Sequence, residues 1–206
     1  MAGKKYPDRN YHTGDQEMIK RTIKALLFSD VKGFSKMSDR EALIFCYNFH
    51  RGVQRDILSK HAAGIAIQNT WGDALHVVMD DLVEAGYLAL ELRDWVKSFD
   101  WIGAGLSSPL EIRIGLHAGV VSHEEDPIIS RTNFIGRNTS KAARIEPITF
   151  EGQVFVSQAY TALLNVQNGH DLVCDYVGIR ELPKNDGLLK VYILNRSNGS
   201  SENPLH

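Results

Sequence analysis

The sequence predicts an α+β fold, a ferredoxin-like βαββαβ sandwich with a C-terminal extension, and two observations carry that expectation. The apolar residues switch between a period of about two and a period of about 3.6, in the order strand, helix, paired strands, helix, strand. No linker or internal repeat divides the chain, and 206 residues with 43% apolar content are enough for one well-filled core.

Each element follows from local chemistry. Lys24 to Phe28 reads as a buried strand and Asp39 to Lys60 as an amphipathic helix. Ile65 to Trp71 and Ala74 to Met79 read as a hairpin, because Gly72-Asp73 supplies the turn between two runs of strand character. Asp81 to Phe99 carries Leu82, Ala85, Leu88, Leu92 and Val96 at helical spacing, with an acidic start and Lys97 near its end, as the helix dipole favours. Glu111 to Val120 is expected to be a strand, Arg137 to Arg144 a short helix, Val154 to Val156 a short strand and Ala159 to Val166 a helix. Leu172 to Tyr176 and Leu189 to Leu194 read as strands joined across a charged turn. The expected organisation is a polar segment over 1–23, a domain over 24–194 and a small, polar, breaker-rich tail over 195–206 that is expected to be disordered.

A net charge of -2 offers no bulk attraction to nucleic acid or to an anionic membrane, so a polyanion must be met by a local site. Cys46 and Cys174 have no paired spacing, which fits a reducing compartment and argues against a disulfide framework or thiolate zinc site. No apolar stretch reaches membrane-spanning length and Met1 to Gln16 is polar, so a cytoplasmic protein is expected.

The most informative residues are Asp30, in Phe28-Ser29-Asp30-Val31-Lys32-Gly33-Phe34-Ser35, and Asp73, in Asn69-Thr70-Trp71-Gly72-Asp73-Ala74-Leu75. Each lies where an apolar run meets a glycine-marked turn. Taken singly, either carboxylate could cap its turn or the following helix. Two on neighbouring strands would need a shared cation, and a divalent metal is the simplest. His50, His61 and His76 lack a ligand pattern and are read as structural or surface residues, as is His117. His123-Glu124-Glu125-Asp126 is most simply a solvated loop. Trp95 and Trp101 read as core or boundary aromatics.

Four segments in order and spacing resemble the class III nucleotidyl cyclase catalytic domain: Leu26 to Ser35, Asn69 to Ala74, Glu111 to Gly119, and Gly136-Arg137-Asn138-Thr139-Ser140-Lys141-Ala142-Ala143-Arg144-Ile145-Glu146. The resemblance covers roughly Lys24 to Leu194. It implies that Asp30 and Asp73 bind two divalent cations, Mn²⁺ or Mg²⁺, with the Val31 carbonyl as a further ligand, and that Lys32, Gly33, Phe34 and Ser35 offer backbone N–H groups to the β- and γ-phosphates. Arg144 matches the arginine that meets the triphosphate in the transition state; its alternative is a surface salt bridge. Ser140 stands where the family has an asparagine and can donate one hydrogen bond over a shorter reach. Lys184, in a turn of different length, roughly matches a phosphate-binding lysine, and a solvated loop lysine fits it equally.

Adenylyl cyclases of this family commonly have lysine before the hairpin glycine-aspartate pair and aspartate or threonine before the last motif, and guanylyl cyclases have glutamate at the first position. Here the positions hold Asn69 and Asn133, so the purine-selective pattern is missing. The chain in this respect resembles the pyrimidine cyclases of bacterial anti-phage signalling, with Trp71 beside Asn69 able to fill the space a smaller base leaves. UTP is favoured over CTP as the expected substrate, although an asparagine amide can turn to satisfy either edge. The resemblance also implies a head-to-tail homodimer, with Asp30 and Asp73 from one protomer and Ser140 and Arg144 from the other. It further implies an indirect partner, an effector that responds to the cyclic nucleotide, and no nucleic-acid or membrane partner. The alternatives are an adenylyl cyclase with an unusual base pocket and a non-catalytic nucleotide-binding module.

Overall fold

The structure, a computed structural model, describes residues 21–128 and 130–197. Over these residues the chain forms β1 (Arg21–Val31), α1 (Asp39–Val53), β2 (Ile65–Trp71), β3 (Ala74–Met79), α2 (Leu82–Ser98), β4 (Ile112–Asp126), β5 (Arg131–Ile135), α3 (Arg137–Ile145), β6 (Val154–Ser157), α4 (Gln158–Leu164), β7 (Leu172–Glu181) and β8 (Leu188–Arg196). The first six make the expected βαββαβ unit. One sheet runs β2-β3-β1-β4-β6-β8-β7, with β5 paired to β4 off that path. All neighbours are antiparallel except β4 and β6.

Alternation along the strands gives the sheet two buried faces. Leu27, Val77, Ile114 and Val156 join α1, α2 and α4 in the main core, which also takes Trp101. On the other face Leu26, Val78 and Val121 pack with Phe134 and Ala142, and Ile145 packs with Phe155 and Val191, so α3 lies there alone. Helix starts are set by side chains: Ser38 and Glu41 form a reciprocal box before α1, Asp81 accepts from Val83 and Glu84, and Ser157 accepts from Tyr160.

Several boundaries differ from the sequence reading. The helix expected to reach Lys60 is α-helical only to Val53 and then widens into a π-helical turn over Gln54–Leu58, closed by Ser59 N–H donating to the Gln54 carbonyl at 3.0 Å. The strand expected from Lys24 starts at Arg21, where it pairs with Ser122. Asn195 and Arg196, assigned to the tail, pair with Val173 and Leu172; backbone ladder bonds hold polar residues as readily as apolar ones. Residues 1–20 and 198–206, which carry the rest of those two expectations, lie outside the described residues. His123 to Asp126 is not a loop: it extends β4 and pairs with β5, a strand that hydropathy alone did not reveal. Among the described residues no helix is long and apolar enough to cross a membrane.

Candidate active site

The sheet register brings the first cluster together. Asp30 sits directly opposite Arg113 on β4, and Arg113 Nη2 donates to Asp30 Oδ2 at 2.7 Å. Asp73, in the tight turn between β2 and β3, accepts from Val31 N–H through Oδ2 at 3.3 Å. Burial first, and then the charge and hydrogen bonding of Asp30, push the Asp73 carboxyl up to about 6. Arg113 Nε also lies 3.0 Å from Glu146 Oε1, beyond the end of α3, without hydrogen-bond alignment. Burial outweighs this attraction and, with help from the charges of Asp30 and Asp73, raises the Glu146 carboxyl to about 7. One guanidinium therefore meets two carboxyl groups, those of Asp30 and Glu146.

The turn after β1 is shaped by Gly33, whose φ of 85° is a left-handed conformation that favours glycine. Nothing lies within 4 Å of the position a Cβ would take there. The Lys32 N–H donates to the Glu111 carbonyl at 2.9 Å and is thus not one of the turn's free donors, which corrects the sequence reading. The N–H groups of Gly33, Phe34 and Ser35 have no such bond among the described residues. The Lys32 ammonium pairs with Glu151 at 2.5 Å.

The second cluster is built on α3. Ser140 and Arg144 are one turn apart and share a helix face. Arg144 Nη1 lies 2.6 Å from Asp186 Oδ2, in the turn between β7 and β8 that also carries the exposed Lys184 in a left-handed conformation. Beneath α3, Asn138 donates to the Val120 carbonyl at 2.8 Å, its Oδ1 lies 3.0 Å from His117 Nε2, and His117 Nδ1 lies 2.7 Å from Ser157 Oγ. Asn138 presents only its oxygen to the imidazole, so Nε2 carries the proton and Nδ1 accepts from Ser157. Burial lowers the His117 pKa, in keeping with a neutral ring. Gly119 has no Cβ because Asn138 would meet it at 2.4 Å. Among the described residues no hydrogen bond or ion pair joins Asp30 or Asp73 to Ser140 or Arg144.

The base-reading candidates lie further along. Asn69 on β2 accepts at Oδ1 from the Arg131 guanidinium of β5, and both residues line a cavity of about 430 Å³ beside Phe49, Val53 and Leu75. Asn133 on β5 accepts at Oδ1 from the Phe134 N–H at 2.9 Å. No hydrogen bond joins Asn69 to Asn133 among the described residues. Trp71 is 88% exposed at the hairpin tip and does not fill that cavity, which corrects its expected place. His50 braces the hairpin through the Gly72 carbonyl at 2.8 Å, His61 sits between Glu84 and Glu91, and His76 stacks on Phe28, all structural as expected.

A divalent cation fits the first cluster. Asp30 and Asp73 are hard oxygen donors whose combined charge is costly in a half-buried turn, as the raised Asp73 shows. Among the described residues no group of three or more His, Cys, Asp or Glu side chains is placed to hold a metal, so a cation there would need backbone carbonyl, water and phosphate oxygens as well. Sequence reasoning missed Arg113, Glu146 and Asp186. Arg113 had left a signal as a lone cation in an apolar strand, but its partners arrive from β1 and from beyond α3.

Residues 20–196 match the family described as the adenylate and guanylate cyclase catalytic domain. The chain is 23% identical over 176 residues to an adenylate cyclase of Schizosaccharomyces pombe, covering 77% of this chain and 10% of that protein. The chain thus spans about a tenth of the length of that curated relative. Among solved structures it is similar to the adenylyl cyclase CyaB from P. aeruginosa, with a TM-score of 0.74 and 21% identity over 86% of this chain and 96% of the other. It is also similar to the guanylate cyclase domain of RhGC from Catenaria anguillulae in complex with GTP, with a TM-score of 0.71 and 20% identity over 86% and 98% of the two chains. At these identities the structural likenesses show the fold.

Proposed function

The chain belongs to the adenylate and guanylate cyclase catalytic domain family, and from that premise we propose that it converts a pyrimidine nucleoside triphosphate, UTP in preference to CTP, to the 3′,5′-cyclic nucleotide and pyrophosphate. The observation that carries the reading is the pair Asp30 and Asp73 held together by the β1–β3 and β1–β4 registers, with Asp73 raised to about 6. The base assignment is supported by Asn69 and Asn133, which replace the charged pattern of the purine enzymes.

In this reaction the ribose 3′-oxygen bonds to the α-phosphorus as the bond to the pyrophosphate oxygen breaks, and the 3′-hydroxyl proton is released. Asp30, Asp73 and the Val31 carbonyl would hold two divalent cations, Mn²⁺ or Mg²⁺, whose chemistry is to neutralise charge on the attacking and leaving oxygens. The free N–H groups of Gly33, Phe34 and Ser35 orient the β- and γ-phosphates. Arg144 neutralises charge on the triphosphate in the transition state, exchanging its Asp186 partner for phosphate, with Lys184 adjacent. Ser140, one turn before, holds the ribose.

The two α3 residues and the two aspartates are proposed to meet across a head-to-tail homodimer, which fits the lack of contact between them within one chain. The product is proposed as a cytoplasmic second messenger of anti-phage defence read by a cyclic-nucleotide-responsive effector, on the strength of the resemblance to pyrimidine cyclases. The test is incubation of the protein with Mn²⁺ and each of UTP, CTP, ATP and GTP, with Asp30→Ala as control. Cyclic UMP as the main product supports the reading. Cyclic AMP would point to an adenylyl cyclase, and no turnover with any nucleotide would point to a non-catalytic module.

A further inference from the structure

Arg144 is proposed to meet the triphosphate, yet in this chain its guanidinium is already engaged. Its Nη1 lies 2.6 Å from Asp186 Oδ2, and the two side chains are only 26% and 25% exposed, so their attraction is screened less than at an open surface. Among the described residues neither group has another ion pair, and Asp186 Oδ2, although buried, is not aligned for a hydrogen bond. A charge contact without directional bonding closes readily but yields to a phosphate, which offers several oxygens at once. The turn that carries Asp186 has a fixed base and a strained tip. At the base, the Leu182 N–H donates to the Gly187 carbonyl at 2.9 Å, and Leu182 is buried in one cluster with Ile145, the neighbour of Arg144. At the tip, Lys184 and Asn185 take left-handed conformations, with φ of 62° and 55°, that residues other than glycine seldom adopt. The ion pair joins this tip to α3.

Resting on the reading that Arg144 binds phosphate, we infer that Asp186 makes the β7–β8 turn a latch. Its carboxylate holds Arg144 in the unliganded chain, is displaced by the triphosphate, and closes again on the arginine to help expel pyrophosphate. A competitor built into the chain lowers the affinity of a phosphate ligand in proportion to the fraction of time for which the arginine is free. The same factor applies to substrate and to product. Weaker substrate binding is offset by high nucleotide concentration, whereas weaker product binding speeds release, a step that often limits turnover. Asp186 needs no contact with the nucleotide for this, because it acts through Arg144.

The test measures the dissociation constant of pyrophosphate by calorimetry, with Mn²⁺ present, for the full chain and for three variants: Asp186→Asn, Arg144→Met, and Asn185→Asp combined with Asp186→Asn. The combined variant keeps the charge of the turn but moves the carboxylate one residue along, to a left-handed position that aspartate tolerates. Asp186→Asn is expected to bind pyrophosphate about tenfold more tightly, as for an arginine that the latch leaves free about a tenth of the time. The combined variant should keep most of that gain, and Arg144→Met should bind more weakly than wild type. Pyrophosphate binding that is unchanged or weaker in Asp186→Asn, but weakened in Arg144→Met, overturns the inference and leaves phosphate binding at Arg144 intact. A combined variant that returns to wild-type affinity also overturns it, because repulsion by the charge of the turn then explains the gain. Binding unmoved in Arg144→Met removes the premise and the inference together.

Discussion

The aspartate cluster and the α3 cluster handle charge in opposite ways. At Asp30 and Asp73 acidic groups outnumber cations, with Arg113 alone among Asp30, Asp73 and Glu146, and the excess is held down by raised carboxyl pKa values. At α3 the cation Arg144 is already matched by Asp186. The first cluster is thus short of positive charge, whereas in the second Arg144 is paired until a ligand competes. If the two clusters are halves of one site, as proposed, a metal-bound triphosphate suits both: one half gains the cations it lacks, and the other trades a carboxylate for phosphate.

Removing a member of the deficient cluster should have the largest effect. Asp30→Ala or Asp73→Ala is expected to lower Mn²⁺-dependent cyclisation by roughly 10³-fold or more while the fold stays intact, since each removes a proposed metal ligand and no core atom. Near-normal turnover in either folded variant would sink the metal assignment.

The two clusters can then be damaged on separate chains. Mixing inactive Asp30→Ala with inactive Arg144→Ala protein should restore activity to about a quarter of wild type, because half of randomly mixed dimers are hybrids and each hybrid has one of its two sites whole. No recovery, despite demonstrated subunit exchange, would mean that both clusters act within one chain.

A disturbance confined to the α3 side comes next in size. Gly119→Ala drives a methyl into Asn138, which is tied to Val120 and His117, and should cost about 1–3 kcal/mol in denaturant unfolding. Cation binding at Asp30 and Asp73 should be spared. A loss of metal affinity equal to that of Asp73→Ala would show that the clusters are not separable.

The smallest effect is on pH dependence. Glu146 is raised in the folded chain to about 7 from an ordinary value of 4.5, so between these the folded state binds the extra proton and stability falls as pH rises through that window. Glu146→Gln should flatten that part of the metal-free stability profile. An unchanged slope would assign the pH dependence to other groups.

Much of this was legible in the chain itself. Ile65–Trp71 and Ala74–Met79 match the hairpin read from alternation, and Asp81 caps α2 where its acidic start was expected, because local periodicity and capping depend on neighbours in sequence. Asp30 and Asp73 were visible as carboxylates at strand ends, and their adjacency was implied by the strand pairing. Arg113 opposite Asp30, Glu146 behind it, Asp186 on Arg144 and Arg131 on Asn69 were not, since each joins residues that are 33 to 83 positions apart, on elements whose meeting depends on sheet order. The exposed Trp71 and the strand formed by Arg131–Ile135 belong to the same class. Residue types and local periods, by themselves, determined most of the elements and marked Asp30 and Asp73 as the candidate metal ligands. Only the tertiary structure decided which charges are compensated and which way each amide faces, because those depend on pairwise distances that the folded sheet alone establishes.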